Sequence, residues 1–199
     1  MKNNAILNHR IFKKFAFVNT WILLFLACFV VRLPFFLSDN FNFDGDEAII
    51  GIMAQDFLDG NSFPIYFFGQ NYGFSTFEVL STAIFEFILG SSIWSLRLGA
   101  LLLFSLGLTF VYQAFKVQKF SQKWSILLLL LFVTFPTWYL WGAMVRGGYL
   151  TAFVFCCLLY YLMVKPKKPL IFALIGISAA IIFESHVFIL LGIIPLLVN

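Results

Sequence analysis

Long apolar runs divide the sequence, and they constrain what the chain can fold into more than any other feature. The two longest lie at about residues 15–37 and 94–115, and others follow at 124–141, 149–164, 170–183 and 187–198. A bilayer core about 30 Å thick requires roughly 20 apolar residues per helix, and backbone groups inside it must pair within the segment. With 62% hydrophobic and 11% charged residues, the chain has too little polar side chain to cover a water-soluble surface. The sequence therefore predicts an all-α, polytopic membrane protein.

The basic residues predict how the helices are oriented. Most of them fall in three clusters, at residues 2–14, 116–123 and 165–168. Because lysine and arginine favour the cytoplasmic side, all three clusters are expected there, together with the N-terminus. The first two clusters are then separated by two crossings, although the weaker apolar segments 46–58 and 75–89 also lie between them. As helices with a rise of 1.5 Å per residue, these two segments reach only about 20 Å, which is too short to span.

We therefore predict one membrane-embedded module, residues 1–199, with about six membrane-spanning helices. Two interfacial helices are expected in a first extracytoplasmic loop, residues 38–92. The first would begin at the DGDE sequence, residues 44–47, because carboxylates suit a helix N-terminus, and it would end at Gly60. The second, STFEVLSTAIFEFILG, places Glu78, Thr82 and Glu86 four residues apart, which predicts a polar stripe facing protein or water.

Negative charge is concentrated in this predicted outer loop, which contains eight of the nine acidic residues. Asp44, Asp46 and Glu47 lie within four residues of one another. Like charges beside a low-dielectric membrane should raise the pKa of at least one of these carboxyl groups, which makes it a candidate general base. Capping of the helix is the structural alternative. A divalent cation is a further interpretation, and Asp44-Gly45-Asp46 matches over three residues the D-x-D motif of soluble glycosyltransferases.

Two other segments contain candidate binding residues. PIYFFGQNYG, residues 64–73, combines aromatic rings with Gln70, Asn71 and Tyr72, a set that suits a carbohydrate or a lipid headgroup. An aromatic belt at the membrane interface is the alternative interpretation. Arg146 is predicted on the same outer side, where it could pair with a carboxylate, bind a phosphate or snorkel to the interface.

Three further sites receive weaker predictions. Arg32 and Arg97 are interpreted as arginines that snorkel from the outer ends of helices. Glu184 and His186 interrupt two apolar runs and could join the outer site. The scattered basic residues form no single basic face, so the sequence does not support nucleic-acid binding.

In this order, the features resemble the N-terminal part of the GT-C membrane glycosyltransferases. The segments that carry the resemblance are DGDEAIIGIMAQDFLDG, PIYFFGQNYG, STFEVLSTAIFEFILG and SIWSLRLGALLLF, with RGGY further on. They are similar to bacterial relatives of the dolichyl-phosphate-mannose protein mannosyltransferases and of the lipid A aminoarabinose transferase. Because members of the family are longer, the resemblance implies that residues 1–199 are the N-terminal part of a larger GT-C fold.

The resemblance implies an inverting transfer from a polyprenyl-phosphate-linked sugar to a lipid, glycan or protein acceptor. It places the reaction on the periplasmic or outer face, in a bacterial inner membrane. Asp46 would be the general base, and Glu47 would orient it or bind the acceptor. Asp44, Glu78 and Arg146 would line the active site. The resemblance implies no definite cofactor, and it leaves open whether a divalent metal ion is bound.

Two other classes of function remain open at the level of sequence. A non-catalytic membrane subunit would bind a lipid-linked glycan or stabilise a larger membrane partner. A transporter would place ionisable groups near the bilayer midplane, whereas here the acidic residues gather at one predicted surface.

Overall fold

A computed structural model describes residues 2–38, 43–166, 168–189 and 191–192. Over these residues helices are the only regular secondary structure, which confirms the all-α part of the prediction. The helices are α1 (Lys2–Phe36), α2 (Gly45–Leu58), α3 (Thr76–Leu89), α4 (Ile93–Val117), α5 (Gln122–Thr134), α6 (Pro136–Trp141), α7 (Tyr149–Met163) and α8 (Pro169–Ser185).

Helix α4 lies at the centre of the bundle, where it packs against α1, α3 and α7. α1 runs antiparallel to it. Phe17 contacts Phe110 with ring centroids 5.6 Å apart near one end, and Phe36 contacts Trp94 at 5.5 Å near the other. The end of α1 therefore lies beside the start of α4.

Helix α7 runs parallel to α4. Phe153 stacks on Phe104 with ring centroids 5.2 Å apart. About two turns further along both helices, Tyr161 stacks on Phe110 at 6.1 Å. The starts of α4 and α7 consequently share one end of the bundle with α2, which we call the acidic end because it carries residues 44–47. Lys116 in the last turn of α4 and Lys165 beyond α7 lie at the opposite end.

Two stretches of helix are long and apolar enough to cross a membrane, Ala16–Phe36 within α1 and the whole of α4. α5, α7 and α8 are apolar but shorter. The continuous span predicted at 124–141 is wrong, because Pro136 divides it. Proline has no N–H and disfavours a helical residue before it, and Phe135 is accordingly extended, with φ −61° and ψ 129°. Most of the predicted span 187–198 lies outside the described residues.

Both helices predicted in the 38–92 loop are present. Asp44 caps α2 by accepting a hydrogen bond from the backbone N–H of Asp46, and Glu47 accepts one from the N–H of Asp44. This reciprocal capping box satisfies two N–H groups that the helix leaves unpaired. α3 ends before Gly90, which adopts a positive φ of +78°. Its polar stripe faces the protein and is buried.

Arg32 and Arg97 do not snorkel, so that prediction is wrong. Both are buried, with 0% and 1% of their surface exposed. Arg32 donates from Nη2 to the carbonyl of Trp138 at 2.8 Å and from Nε to that of Tyr139 at 3.0 Å. The last carbonyls of a helix are the ones most in need of partners, and Arg32 donates to two of them in the short helix α6, although the carbonyl of Trp138 also accepts a bond from the N–H of Gly142.

We expect Arg32→Met to lower the free energy of unfolding by about 1–3 kcal/mol, because the carbonyl of Tyr139 would lose its side-chain donor and that of Trp138 would keep only the N–H of Gly142. Arg32→Lys retains the charge but not the planar fork of donors, so its effect should be intermediate. Thermal unfolding in detergent would measure both. Equal stability of wild type and Arg32→Met would contradict this role.

Candidate functional site

The side chains of the three carboxylates at the start of α2 lie in three different environments. Asp44 caps the helix and forms an ion pair with Arg146. Glu47 is fully buried and forms an ion pair with Arg97. Asp46 is half-buried and lines an open cavity at the acidic end. Successive residues of a helix point about 100° apart, which explains how such close neighbours in sequence separate.

The pair between Glu47 and Arg97 anchors α2 to the bundle. Arg97 Nη1 lies 3.0 Å from Glu47 Oε1, and Arg97 Nη2 donates to Oε2 at 3.0 Å. Nη1 also donates to the carbonyl of Ala143 at 2.9 Å, so the arginine joins α2, α4 and the loop before α7. Burial raises the pKa of Glu47 to about 7, although Arg97 acts in the opposite direction. A raised pKa therefore occurs at Glu47, and burial is its main cause.

Two loops meet beneath the cavity through their glycines. Gly73, Gly147 and Gly148 all have positive φ, at +75°, +60° and +101°. A Cβ on Gly73 would lie 2.9 Å from the carbonyl oxygen of Gly147, and one on Gly147 would lie 2.8 Å from the ring of Phe67. Only glycine combines this backbone conformation with so close an approach. The GQNYG and RGGY segments therefore meet through their main chains, and Gly147 of this junction also lines the cavity.

Glu78 fixes the second of these loops from below. It is fully buried, and Oε1 accepts hydrogen bonds from the N–H groups of Leu150 at 2.8 Å and Thr151 at 3.1 Å. Oε2 accepts a bond from the N–H of Arg146 at 3.0 Å. A side chain of α3 thus caps the N-terminus of α7. Burial raises the pKa of Glu78, while these N–H donors act in the opposite direction.

This arrangement places Glu78 under the site and not in its wall. Glu47 and Asp44 are likewise outside the lining of the cavity, and Asp44 reaches it only through its ion pair with Arg146. Arg146 itself lies in the wall, with its guanidinium 4.7 Å from the centroid of the Trp141 ring.

The cavity has a volume of about 490 Å³ and brings together five of the sequence-predicted residues. They come from α2, the 66–74 loop and the loop before α7, and are Asp46, Gln70, Asn71, Tyr72 and Arg146.

Glu184 and His186, at the end of α8, also line the cavity, as the sequence suggested. The loop that carries Gln70 is tied to this end, because Tyr66 donates to Glu184 Oε2 at 3.1 Å and Gly73 donates to the Glu184 carbonyl at 3.1 Å. The cavity therefore depends on four separate segments.

Sequence reasoning missed the aromatic wall formed by Tyr149, Phe183 and Phe188. The ring of Tyr149 lies 4.4 Å from that of His186. The only signal in the sequence was that Tyr149 is the last residue of RGGY and that Phe183 and Phe188 begin and end FESHVF, residues 183–188. The wall gives the polar cavity an apolar side against which a sugar ring or a lipid could pack.

The chemistry of the cavity is that of a polar ligand site. Two carboxylates, two amides, a guanidinium and an imidazole line it, together with aromatic rings. Within the described ranges, no group of three or more His, Cys, Asp or Glu residues could bind a metal ion. Since Asp44 and Glu47 are turned away from Asp46, the D-x-D carboxylates do not converge, and we derive no metal-dependent step.

Comparison of the chain with protein-family models, with curated proteins and with solved structures gave no match.

We expect Glu78→Gln to destabilise the protein by about 1–3 kcal/mol, because an amide N–H₂ would replace one of the two accepting oxygens. Hydrogen exchange at Leu150 and Thr151 should become faster. Glu86→Gln, on the same helix, is the matched control, since the Glu86 oxygens accept no hydrogen bond from the described residues. Unchanged exchange in Glu78→Gln would contradict the capping role.

The buried ion pair should show strong coupling. Glu47→Gln and Arg97→Met are each expected to cost about 3–5 kcal/mol, because each leaves an uncompensated partner in the interior. The double variant should lose less free energy of unfolding than the two single variants lose together, by about 1 kcal/mol or more. Unfolding of all four proteins under one condition measures the difference, and simple additivity would argue against the pair.

Proposed function

We propose that this chain is a membrane-embedded module of a GT-C-type glycosyltransferase, in which Asp46 is the general base. One observation carries the proposal: residues that the resemblance and the sequence pattern selected separately, Asp46, Gln70–Tyr72 and Arg146, line one cavity. They lie far apart in sequence, so their convergence is not a consequence of local structure.

The proposed reaction is a single displacement at the anomeric carbon of a polyprenyl-phosphate-linked sugar. Asp46 accepts the proton of an acceptor hydroxyl as its oxygen bonds to that carbon, and the bond from carbon to the phosphate oxygen breaks with inversion. Arg146 can stabilise the negative charge of the departing phosphate, since guanidinium suits phosphate geometry. Its ion pair with Asp44 keeps it at the cavity.

The neighbouring residues have roles in binding under this proposal. Gln70 and Asn71 are exposed at the tip of their loop and can hydrogen-bond sugar hydroxyls. Tyr72, with 66% of its surface exposed, offers a ring for stacking. The acceptor is a lipid, glycan or protein that carries a hydroxyl group.

A membrane setting is supported by the apolar outer surface of the bundle. Leu23 and Val30 of α1 are 67% and 64% exposed, and Leu170 of α8 is 70% exposed. Apolar surface of this kind marks contact with lipid or with another protein. We propose about six spans with α2 and α3 at the interface. The lysine-bearing end would face the cytoplasm and the cavity the periplasm of a bacterial inner membrane.

Asp46→Asn is nearly isosteric and removes the proposed base, so sugar transfer should fall by about 10²–10⁴-fold while membrane insertion is retained. The assay uses protein purified from its native membrane and a polyprenyl-phosphate sugar. Asp59→Asn, which removes an exposed carboxylate beyond the end of α2, is the charge-matched control and should retain activity.

Full transfer by Asp46→Asn would remove Asp46 from the mechanism. The non-catalytic alternative requires the same cavity but not the carboxylate of Asp46. It therefore predicts that both variants bind a lipid-linked glycan equally well, that neither transfers sugar, and that the protein co-purifies with a larger membrane protein.

A further inference from the structure

A second cavity, of about 460 Å³, lies between α2, the end of α3 and the start of α4. Its lining from α2 includes Ala48, Gly51 and Gln55, which recur at helical spacing on one face. Asp46 is not part of this lining and opens into the cavity described above. The second cavity is therefore separate from the proposed transferase site.

Glu86 is the charged group of this second cavity. It is 94% buried, with 6% of its surface exposed, and neither oxygen accepts a hydrogen bond from the described residues. Burial raises the pKa of Glu86 to about 7, and a side-chain hydrogen bond with Ser91 acts in the opposite direction, although its geometry is too loose to satisfy either oxygen. A buried carboxylate without donors is costly, so this one is suited to a ligand that supplies them.

Gly51 leaves the carboxylate accessible from one side. A Cβ at this position would lie 3.7 Å from Glu86 Oε1, at ordinary contact distance. Gly51 is inside α2 and needs no special backbone conformation, so helix geometry does not explain the glycine. Its lack of a side chain leaves room beside Oε1 for a donor atom.

The remaining lining indicates what kind of ligand fits. Gln55 donates a hydrogen bond to the Ser91 hydroxyl at the mouth, and none of the lining residues is cationic. An anion would therefore meet a carboxylate and no compensating charge. Phe43 and Ile52 also line the cavity, and each is 52% exposed. The site combines an inner acceptor with an apolar rim, which suits an amphipathic molecule whose polar tip is a cationic donor.

We propose that this cavity binds the primary ammonium group of an aminophospholipid, with Glu86 as its acceptor. An ammonium group offers three N–H donors, enough to satisfy both free oxygens of Glu86. The acyl chains would lie against the apolar rim. The exposed Phe87 and Ile88, 81% and 65% accessible, follow Glu86 in α3 and give that helix further apolar surface.

Native mass spectrometry of the whole chain tests the proposal. The protein is mixed with equimolar phosphatidylethanolamine and phosphatidylcholine that carry identical acyl chains. The two headgroups differ only in methylation, which removes every N–H donor. We expect the wild-type protein to carry about ten times more bound phosphatidylethanolamine than phosphatidylcholine. One charge-assisted hydrogen bond provides a ratio of this size.

Two variants separate binding from folding. Glu86→Gln removes the negative charge, and Gly51→Ala adds a methyl group beside Oε1 while improving helix propensity. Both should bring the lipid ratio towards one, and Gly51→Ala should do so with a melting temperature no lower than that of wild type. Asp59→Asn should retain the tenfold preference.

The absence of a headgroup preference in wild type would overturn the proposal, as would an unchanged preference in both Glu86→Gln and Gly51→Ala. Displacement of the bound lipid by ethanolamine at equal concentration would reassign the cavity to a soluble amine. Because no step of this experiment requires sugar transfer, its result is independent of the outcome for Asp46→Asn.

Discussion

The buried ion pair between Glu47 and Arg97 is the constraint on which the acidic end depends. Two charges removed from water are costly unless they pair closely, and here two contacts at 3.0 Å join them while Arg97 also donates to a backbone carbonyl. Because the pair joins α2 to α4 and to the loop before α7, the rotation of α2 about its axis is fixed. That rotation places Asp46, one residue away from the pair, at the open cavity.

The described acidic residues of the 38–92 segment include three that build the structure and two that line the cavities. Asp44 and Glu47 cap and anchor α2, and Glu78 caps α7 from a neighbouring helix. These roles use carboxylates as acceptors for backbone and guanidinium donors, which stabilises helix starts that would otherwise leave N–H groups unpaired. Asp46 and Glu86 are the two that line cavities, a different one each, while Asp59 is exposed beyond the end of α2. A high density of acidic residues in a sequence therefore need not mean a high density of charge in one site.

Much of this arrangement could be predicted from local sequence. The capping pattern at residues 44–47 and the glycines after α2 and α3 determine short helices by local chemistry, so the positions of both helices were predicted. The burial of Arg32 and Arg97 was not, because their partners are carbonyls from distant segments that no local pattern identifies. The break at Pro136 follows from proline chemistry, yet it was hidden by the apolar run around it. Periodicity places Glu78 and Glu86 on one stripe, but it cannot show that α7 fills the space beside one of them and a cavity the space beside the other.

The junction of Gly73, Gly147 and Gly148 has a consequence for how this protein can diversify. The close contacts and positive φ angles disfavour any side chain at these three positions, so the two loops must meet through main chain. Variation in ligand preference is therefore expected at the walls of the cavity, where Tyr72, Phe183 and Phe188 can change in size or polarity. Related chains that bind different ligands should keep the three glycines and differ at these aromatic positions.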